Sequence, residues 1–502
     1  MDYLDPKKKR NKKIRLMIGY ALLGVAISIA TVVFVYLANG YYIDRETGVV
    51  IQNGLVFLDS KPESATIYIN GEQQRGSTDA RLVVPEGSYD IELRRDGYVT
   101  WGRKLSLEGG SLRRLTYARL FPEKLDSEVA LNLSLPALPQ EISQSIDKRW
   151  LVMAFAGQSQ SMQFVDLNRT VLQIEELPIP PQLIKSPGPG VWKIVEWADD
   201  NKTFLAEFRS DAAITEYVLI NRDDPSASKN LADAFPGQRF SSALIRDRKN
   251  DLVFLNDATT GEVFRGDVKS GAVESYVKNV TDYVSFGSDA MLYVTDVDAS
   301  EGHVKAVLKK GDEQFTLREI KANVDQSKDY LLEMAKLGNS LVMGIGSATE
   351  GRVIVYNDPI GALKNNDFSS LPVPTTVLRV ADPEELSISA DSSVIMARSG
   401  LKFASHEFED DRSYTFEIDA QTNASQNITW IDGQHFMMPT GINEQTVADF
   451  DGSNVLKLAN SQPELGSIFD GSLDEQFTFL PAAEVGSPVR IMRTFMRTEA
   501  DR

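Results

Sequence analysis

One short pattern recurs between Ser145 and Leu480 and limits what most of this 502-residue chain can become. Each unit has a small or polar turn carrying Asp, then a short apolar strand, then a second strand ending in Asp or Asn. Residues 145–153 are followed by 163–167, 197–206 by 216–221, and 252–255 by 263–267. Residues 285–294 open another unit. After it, 341–344 leads to 352–357, 389–396 to 414–419 and 430–437 to 447–454, with 469–480 last. Successive units lie about 40–54 residues apart, the period of a four-stranded propeller blade. A lone four-stranded sheet cannot cover both of its faces, whereas sheets packed in a ring cover one another and protect their edges. Eight units predict a β-propeller of seven or eight blades over residues 141–502.

The rest of the pattern agrees with a mostly-β chain. Gly and Pro recur throughout, and the apolar runs are short and rich in Val, Ile, Phe and Tyr. Beyond the N-terminal region only short helical candidates are read, such as residues 329–336, where Leu, Glu, Met, Ala and Lys predominate.

The exception is residues 16–38, an apolar run of 23 residues without a charge. As a helix it is long enough to cross a hydrocarbon core of about 30 Å. Lys7, Lys8, Lys9, Arg10, Lys12, Lys13 and Arg15 precede it, and Asp44, Arg45 and Glu46 are the first charges after it. Basic residues beside a span are retained on the cytoplasmic side. The expected topology is therefore a single-pass anchor in the cytoplasmic membrane, with residues 1–15 inside and the bulk of the chain outside. A cleaved signal peptide is the rival reading, with Ala38-Asn39-Gly40 as its site, but its apolar region is ordinarily only about 7–15 residues.

Charge and cysteine usage narrow the setting. The first fifteen residues carry a net +5, so a formal charge of −18 leaves −23 on the remainder. So acidic a surface repels nucleic acid and anionic headgroups, and nucleic-acid binding is disfavoured. There is no cysteine, hence no disulfide, thiol nucleophile or cysteine zinc site. An extracytoplasmic chain without disulfides fits a bacterial cell envelope better than a eukaryotic secretory pathway.

Residues 39–54 read as a linker out of the span, and residues 55–121 as a small sandwich of about six strands. These are 55–58, 65–69, 81–84, 89–93, 99–107 and 112–120. Asn70-Gly71 supplies the positive-φ pair of a tight hairpin turn, Pro85-Glu86-Gly87 a second turn and Asp96-Gly97 a third. The run from Ser60 to Gly71 (SKPESATIYING), followed by Pro85-Glu86-Gly87-Ser88-Tyr89 and Arg94-Arg95-Asp96-Gly97-Tyr98, resembles a PEGA domain. Ser88 replaces the Ala that gives that family its name, and Thr78-Asp79 replaces its usual Thr-Pro. The resemblance implies a small β-sandwich spacer in a bacterial or archaeal envelope, and no activity. Tyr98 and Trp101 are read as core aromatics rather than ligand platforms.

Residues 122–140 read as a second linker, leading into the propeller. Trp197-Ala198-Asp199-Asp200-Asn201-Lys202 and Trp430-Ile431-Asp432-Gly433-Gln434 resemble the Trp-Ser-Pro-Asp-Gly-Lys opener of TolB-type propeller repeats, a WD40-like plan, without its Pro. Propellers host binding, scaffolding and hydrolysis alike.

The chain displays no recognisable catalytic set. His303, His406 and His435 are each alone in their repeat unit, and no Gly-x-Ser-x-Gly elbow occurs. His435 is expected at a surface or blade edge. Asp296-Val297-Asp298-Ala299-Ser300-Glu301-Gly302 begins like a calcium loop, but its Gly is one place late and its twelfth position is Val307. Asp449-Phe450-Asp451-Gly452-Ser453-Asn454 also reads as a hairpin turn. No catalytic, cofactor-binding or metal-binding residue is assigned, and no cofactor is expected.

The leading expectation is a non-enzymatic envelope protein whose propeller binds a protein or cell-wall polymer. The alternative is an envelope glycan hydrolase or lyase that uses two carboxylates in the propeller channel. A transducing sensor is disfavoured, because fifteen residues on the inner side leave no room for a catalytic domain.

Overall fold

The computed structural model describes residues 6–38, 40–43, 48, 50–133, 135, 137–186, 188–325, 328–365, 371–419, 428–441, 444–458, 465–481 and 488–502. They form two compact units, Met1–Lys124 together with Arg497–Arg502, and Leu125–Met496.

The first unit begins with a helix over Pro6–Ala38. Its Arg10–Ala38 portion, with mean hydropathy 2.4, is long and apolar enough to cross a membrane. Apolar side chains are exposed all around it, among them Met17, Leu22, Val32 and Phe34, as in a helix that meets no aqueous solvent. Its polar groups are satisfied internally, for the Ser28 and Thr31 hydroxyls donate to the Gly24 and Ile27 carbonyls at 2.9 and 2.8 Å. Length and composition are equally compatible with an anchor and a signal sequence. Arg10, Lys12, Lys13 and Arg15 lie exposed on the same helix. The side chains of Lys7, Lys8 and Lys9, like Asp44, Arg45 and Glu46, lie outside the described residues.

After the helix come two four-stranded sheets. In one, Val50–Lys61 pairs antiparallel with Tyr41–Ile43 and Ala80–Pro85, and parallel with Leu112–Arg119. In the other the order is Glu72–Ser77, Thr66–Ile69, Gly87–Arg94, Trp101–Leu107, antiparallel throughout. Alternating residues of both sheets, including Val56, Leu58, Ile67, Ile91, Leu93, Trp101, Leu105 and Leu115, meet in one buried cluster. This is the expected sandwich, with Tyr98 and Trp101 buried in its core. Asn70 and Gly71 take φ of 51° and 82°, as the tight turn requires. The Tyr89 hydroxyl closes the Pro-Glu-Gly turn by donating to the Pro85 carbonyl at 2.7 Å.

Two readings change here. The stretch 39–54 holds strand Tyr41–Ile43 and the start of Val50–Lys61, so the sandwich reaches back into the expected linker. Glu72–Ser77 is an additional strand, polar and largely exposed at a sheet edge, and it has no apolar alternation for a sequence reading to detect.

The second unit holds eight four-stranded antiparallel sheets among its described residues. Taken in order around the unit, the sheets open with strands Glu141–Gln144, Gly190–Trp197, Ser242–Ile245, Asp282–Phe286, Leu331–Leu337, Glu385–Ile388, Thr429–Trp430 and Ile468–Phe469. Each sheet packs on the next. Val152, Phe164 and Trp192 join the first to the second, Leu205, Leu219 and Val253 the second to the third, and Phe254, Val263 and Met291 the third to the fourth. Leu292, Leu308 and Met343 continue to the fifth, and Val342, Val355 and Ile395 to the sixth. Phe403 against Phe436, at 5.3 Å between ring centroids, joins the sixth to the seventh. Gln476, reaching Gln445 and Met437, joins the seventh to the eighth. Leu151, Val165, Phe477 and Ile491 then pack the eighth sheet on the first. The ring is closed, and the eight sheets correspond to the eight repeat units of the sequence.

Closure corrects a further reading. The expected linker 122–140 contains strand Asp126–Asn132, which pairs antiparallel with Arg490–Phe495 as the last strand of the eighth sheet. Residues from both ends of the unit thus build one sheet, and an isolated strand without its hairpin partner leaves no local signature. The helical candidate 329–336 is likewise strand Leu331–Leu337, paired in full with Ser340–Ser347. Helix-forming residues there are overridden by a place on the innermost strand of a sheet. Arg497–Arg502, expected in the propeller, belongs to the first unit.

Candidate functional site

The first strands of the second to sixth sheets surround a cavity of about 700 Å³. Glu196, Ile245, Phe286, Glu333, Met334 and Ile388 come from those strands, and Asp199, Asp247, Arg248 and Ser392 come from the turns that follow them. These are the innermost strands of the ring, so the cavity is the mouth of the propeller channel.

Carboxylates on the inner strands do two things. Asp282 and Glu385 are the first residues of their strands, and each accepts a backbone N–H from the neighbouring sheet. Asp282 takes that of Tyr330 at 2.9 Å, and Glu385 that of Ile428 at 2.9 Å. Glu385 also receives the Arg398 guanidinium at 2.6 Å, both side chains being buried. Glu196, farther along its strand, accepts from the Ile245 N–H. Such bonds join the inner strands of adjacent sheets, which cannot pair with each other as a ladder. The indoles of the two opener tryptophans act similarly, Trp197 donating to Ser143 at 3.0 Å and Trp430 to Ser387 at 3.1 Å, each on the preceding sheet.

Placement in a ring wall also perturbs their acidity. Burial pushes Glu196 up to about 7, against the Ile245 N–H and the Arg248 charge. Burial, reinforced by Glu385, pushes Glu333 up to about 7. Asp282 is pushed up to about 6 by burial, opposed by the Tyr330 and Tyr283 N–H groups. Two of these, Glu196 and Glu333, face the cavity. A carboxyl group that titrates near neutrality can give or take a proton at working pH. Nothing in the repeat pattern singled them out, because their burial arises from neighbouring sheets and not from their own sequence context.

The three histidines lie in the fourth, sixth and seventh sheets. His303 is half-buried, with Nδ1 3.0 Å from the Glu301 carbonyl. His406 is buried and burial lowers its pKa. Its Nδ1 lies 3.1 Å from the Ser413 hydroxyl, but Asp411 is 3.6 Å from Nε2, beyond hydrogen-bond reach, so no relay of the Ser-His-Asp kind is assembled. His435 is not at a surface or edge. It is 1 % exposed, with Nδ1 2.8 Å from Asp432 and Nε2 3.3 Å from Asp449. The buried position follows from its strand, His435–Gly441, which is interior to the seventh sheet.

The two acidic loops contain turns. In 296–302 the Ala299 N–H donates to the Asp296 carbonyl at 3.2 Å. In 449–454 Asp449 takes the Asn454 amide at 2.8 Å beside His435, and Asp451 takes the Ser453 hydroxyl at 2.6 Å. Among the described residues no group of three His, Cys, Asp or Glu side chains is arranged to hold a metal ion.

Residues 53–118 match the PEGA domain family, in agreement with the turns and sandwich described above. No curated protein matches the chain. Among solved structures, the C-terminal WD40 domain of Sif2 is 11% identical, covers 74% of this chain and 99% of its own, and superposes with a TM-score of 0.47. Kluyveromyces lactis Hsv2 is 9% identical over 65% of this chain and 98% of its own, with a TM-score of 0.39. The dihydro-heme d1 dehydrogenase NirN is 12% identical over 66% of this chain and 67% of its own, with a TM-score of 0.44. The propeller assignment rests on the eight sheets and their closure.

Proposed function

We propose that this chain is a non-enzymatic scaffold of the bacterial cell envelope, anchored in the cytoplasmic membrane through residues 16–38. In this reading residues 1–15 are inside, the PEGA sandwich is a stalk, and the propeller outside binds an envelope protein or a cell-wall polymer. The observation that carries it is the joining of an exposed, spanning-length apolar helix, with an excess of basic residues on its N-terminal flank alone, to a PEGA sandwich and a closed ring of sheets. The absence of cysteine makes the topology directly testable. Tyr3→Cys and Asp312→Cys variants would be treated, in intact cells, with a maleimide that cannot cross the membrane. Labelling at position 312 alone supports the reading; labelling at position 3 alone overturns it. Crosslinked membranes should retain a protein partner, or wall sacculi should pull the chain down, and retention should vanish when residues 125–496 are removed.

A second reading has one observation in its favour. Glu196 and Glu333 on the cavity wall hold their protons to about pH 7, as the general acid of a glycosidase must. It predicts turnover of cell-wall glycans that is lost in Glu196→Gln or Glu333→Gln. Screening against wall glycans without turnover would remove it.

A further inference from the structure

The segment Arg497–Arg502 follows the last propeller strand, Arg490–Phe495, yet packs with the sandwich unit. Its hold is polar and narrow. The Tyr98 hydroxyl donates to Asp501 Oδ2 at 2.8 Å and accepts the Thr498 N–H at 3.0 Å. Arg95 pairs with the other oxygen of Asp501 while also donating to the Glu63 carbonyl. The Thr498 hydroxyl donates to the same Asp501 carboxylate at 3.2 Å, which bends the segment into a single short turn. Glu499 and Ala500 between them are exposed. Tyr98, Arg95 and the Thr498 hydroxyl together hold the Asp501 carboxyl below its usual range.

The cleft is larger than its occupant. It continues as an open cavity of about 660 Å³ walled by Ser64, Thr66, Tyr68, Arg94 and Thr100. The Arg94 guanidinium lies over the Tyr68 ring, 4.1 Å from its centroid. Arg95 and the Tyr98 phenol form the donor set for a carboxylate, while the neighbouring Arg94 guanidinium is paired with Glu92. The Tyr98 ring is part of the buried core, so its hydroxyl is fixed in place before any ligand arrives.

We propose that this cleft is a binding site for short acidic peptide segments of the form Thr-x-x-Asp, occupied in cis by Thr498–Asp501 and open to an acidic segment of another protein that displaces it. It would be a second binding surface, distinct from the propeller and independent of the partner taken there. The cis occupant is held through two side chains and one backbone N–H, few enough for a competitor of equal chemistry to exchange with it.

The test uses the full chain in detergent and a fluorescent peptide of residues 496–502. A chain ending at Met496 should bind the peptide at least about tenfold more tightly than the intact chain, because its cleft is vacant. Asp501→Asn in the peptide, or Arg95→Met in the shortened chain, should each weaken binding about tenfold or more, as expected for a charge-assisted bond. Should the shortened chain prove unstable, Tyr98→Phe in the intact chain keeps the core ring and removes only the hydroxyl. Trypsin should then cut after Arg497 several times faster, and an excess of peptide should produce the same acceleration in the unaltered chain. Equal peptide binding by the shortened and intact chains, or cleavage after Arg497 indifferent to added peptide, would overturn the proposal and leave the segment a fixed cap on the sandwich.

Discussion

The sandwich and the propeller are both built from four-stranded sheets, but they bury and charge themselves differently. Residues 48–124 carry eleven Lys and Arg against ten Asp and Glu, whereas residues 125–496 carry thirty-two against fifty-five. In the sandwich one cluster gathers the interior of both sheets. In the propeller the interior is divided into successive clusters, each shared by two adjacent sheets, the last of them joining the eighth sheet to the first. A single core stands or falls together. A ring tolerates a large charge because its carboxylates are spread around the circumference, and because several are absorbed as acceptors between inner strands.

The sharpest way to break this comparison is to hollow each core in turn. Trp101→Ala and Phe208→Ala both remove fully buried aromatics, and each should destabilise its own unit by about 3–5 kcal/mol. Denaturant unfolding followed by hydrogen exchange should show two separable transitions, each variant moving only one. If either variant shifts both transitions together, the two units fold as one.

A smaller effect distinguishes the units by pH. Glu196 and Glu333 titrate at about 7 in the folded propeller against an ordinary 4.5. The folded state therefore binds these protons more tightly than the unfolded state does. Their contribution is most favourable below pH 4.5, is lost as pH rises to about 7, and changes no further above that. Allowing for partial exposure, the loss should be on the order of 1–3 kcal/mol per group. The opposite sign holds for Asp166, Asp200 and Glu216, whose lowered pKa values stabilise the propeller above about pH 4 and cease to do so in acid. Melting curves between pH 5 and 8 should thus fall for the propeller, and the Glu196→Gln, Glu333→Gln double variant should flatten them. A slope unchanged in that variant would place the titration elsewhere.

The smallest effect belongs to the sandwich alone. Gly71 has φ of 82°, and Gly71→Ala should cost about 1–2 kcal/mol through backbone strain, since nothing near its Cβ direction would clash. A loss well above that range, measured by thermal melting, would mean the turn packs on more than itself.

How much of this was legible depended on how local its cause is. The Asn70-Gly71 and Pro85-Glu86-Gly87 turns, the sandwich strands and the eight repeats are local patterns, and the sequence displays them directly. Asp126–Asn132 could not be recognised because its partner, Arg490–Phe495, lies at the other end of the unit. Leu331–Leu337 misled because its residues favour helix, and its strand state is imposed by neighbouring sheets. The cavity carboxylates and the buried His435 were equally hidden, since burial is a property of the assembled ring. Tyr98 was half legible. Its buried ring followed from the Asp-Gly-Tyr turn, but the partners of its hydroxyl come from residues four hundred positions away.

The closing sheet has a consequence in time. Ser127 and Thr494, whose hydroxyls meet at 2.8 Å, are 367 residues apart. At about 5–20 residues per second, Asp126–Asn132 leaves the ribosome roughly 20–70 s before its partner exists. For that interval it is an unclaimed edge, open to pairing with any strand that passes. Asp126 and Glu128 within it carry the charges that discourage such pairing. The same strand that fastens the finished ring is therefore, for most of the chain's synthesis, the part most in need of guarding.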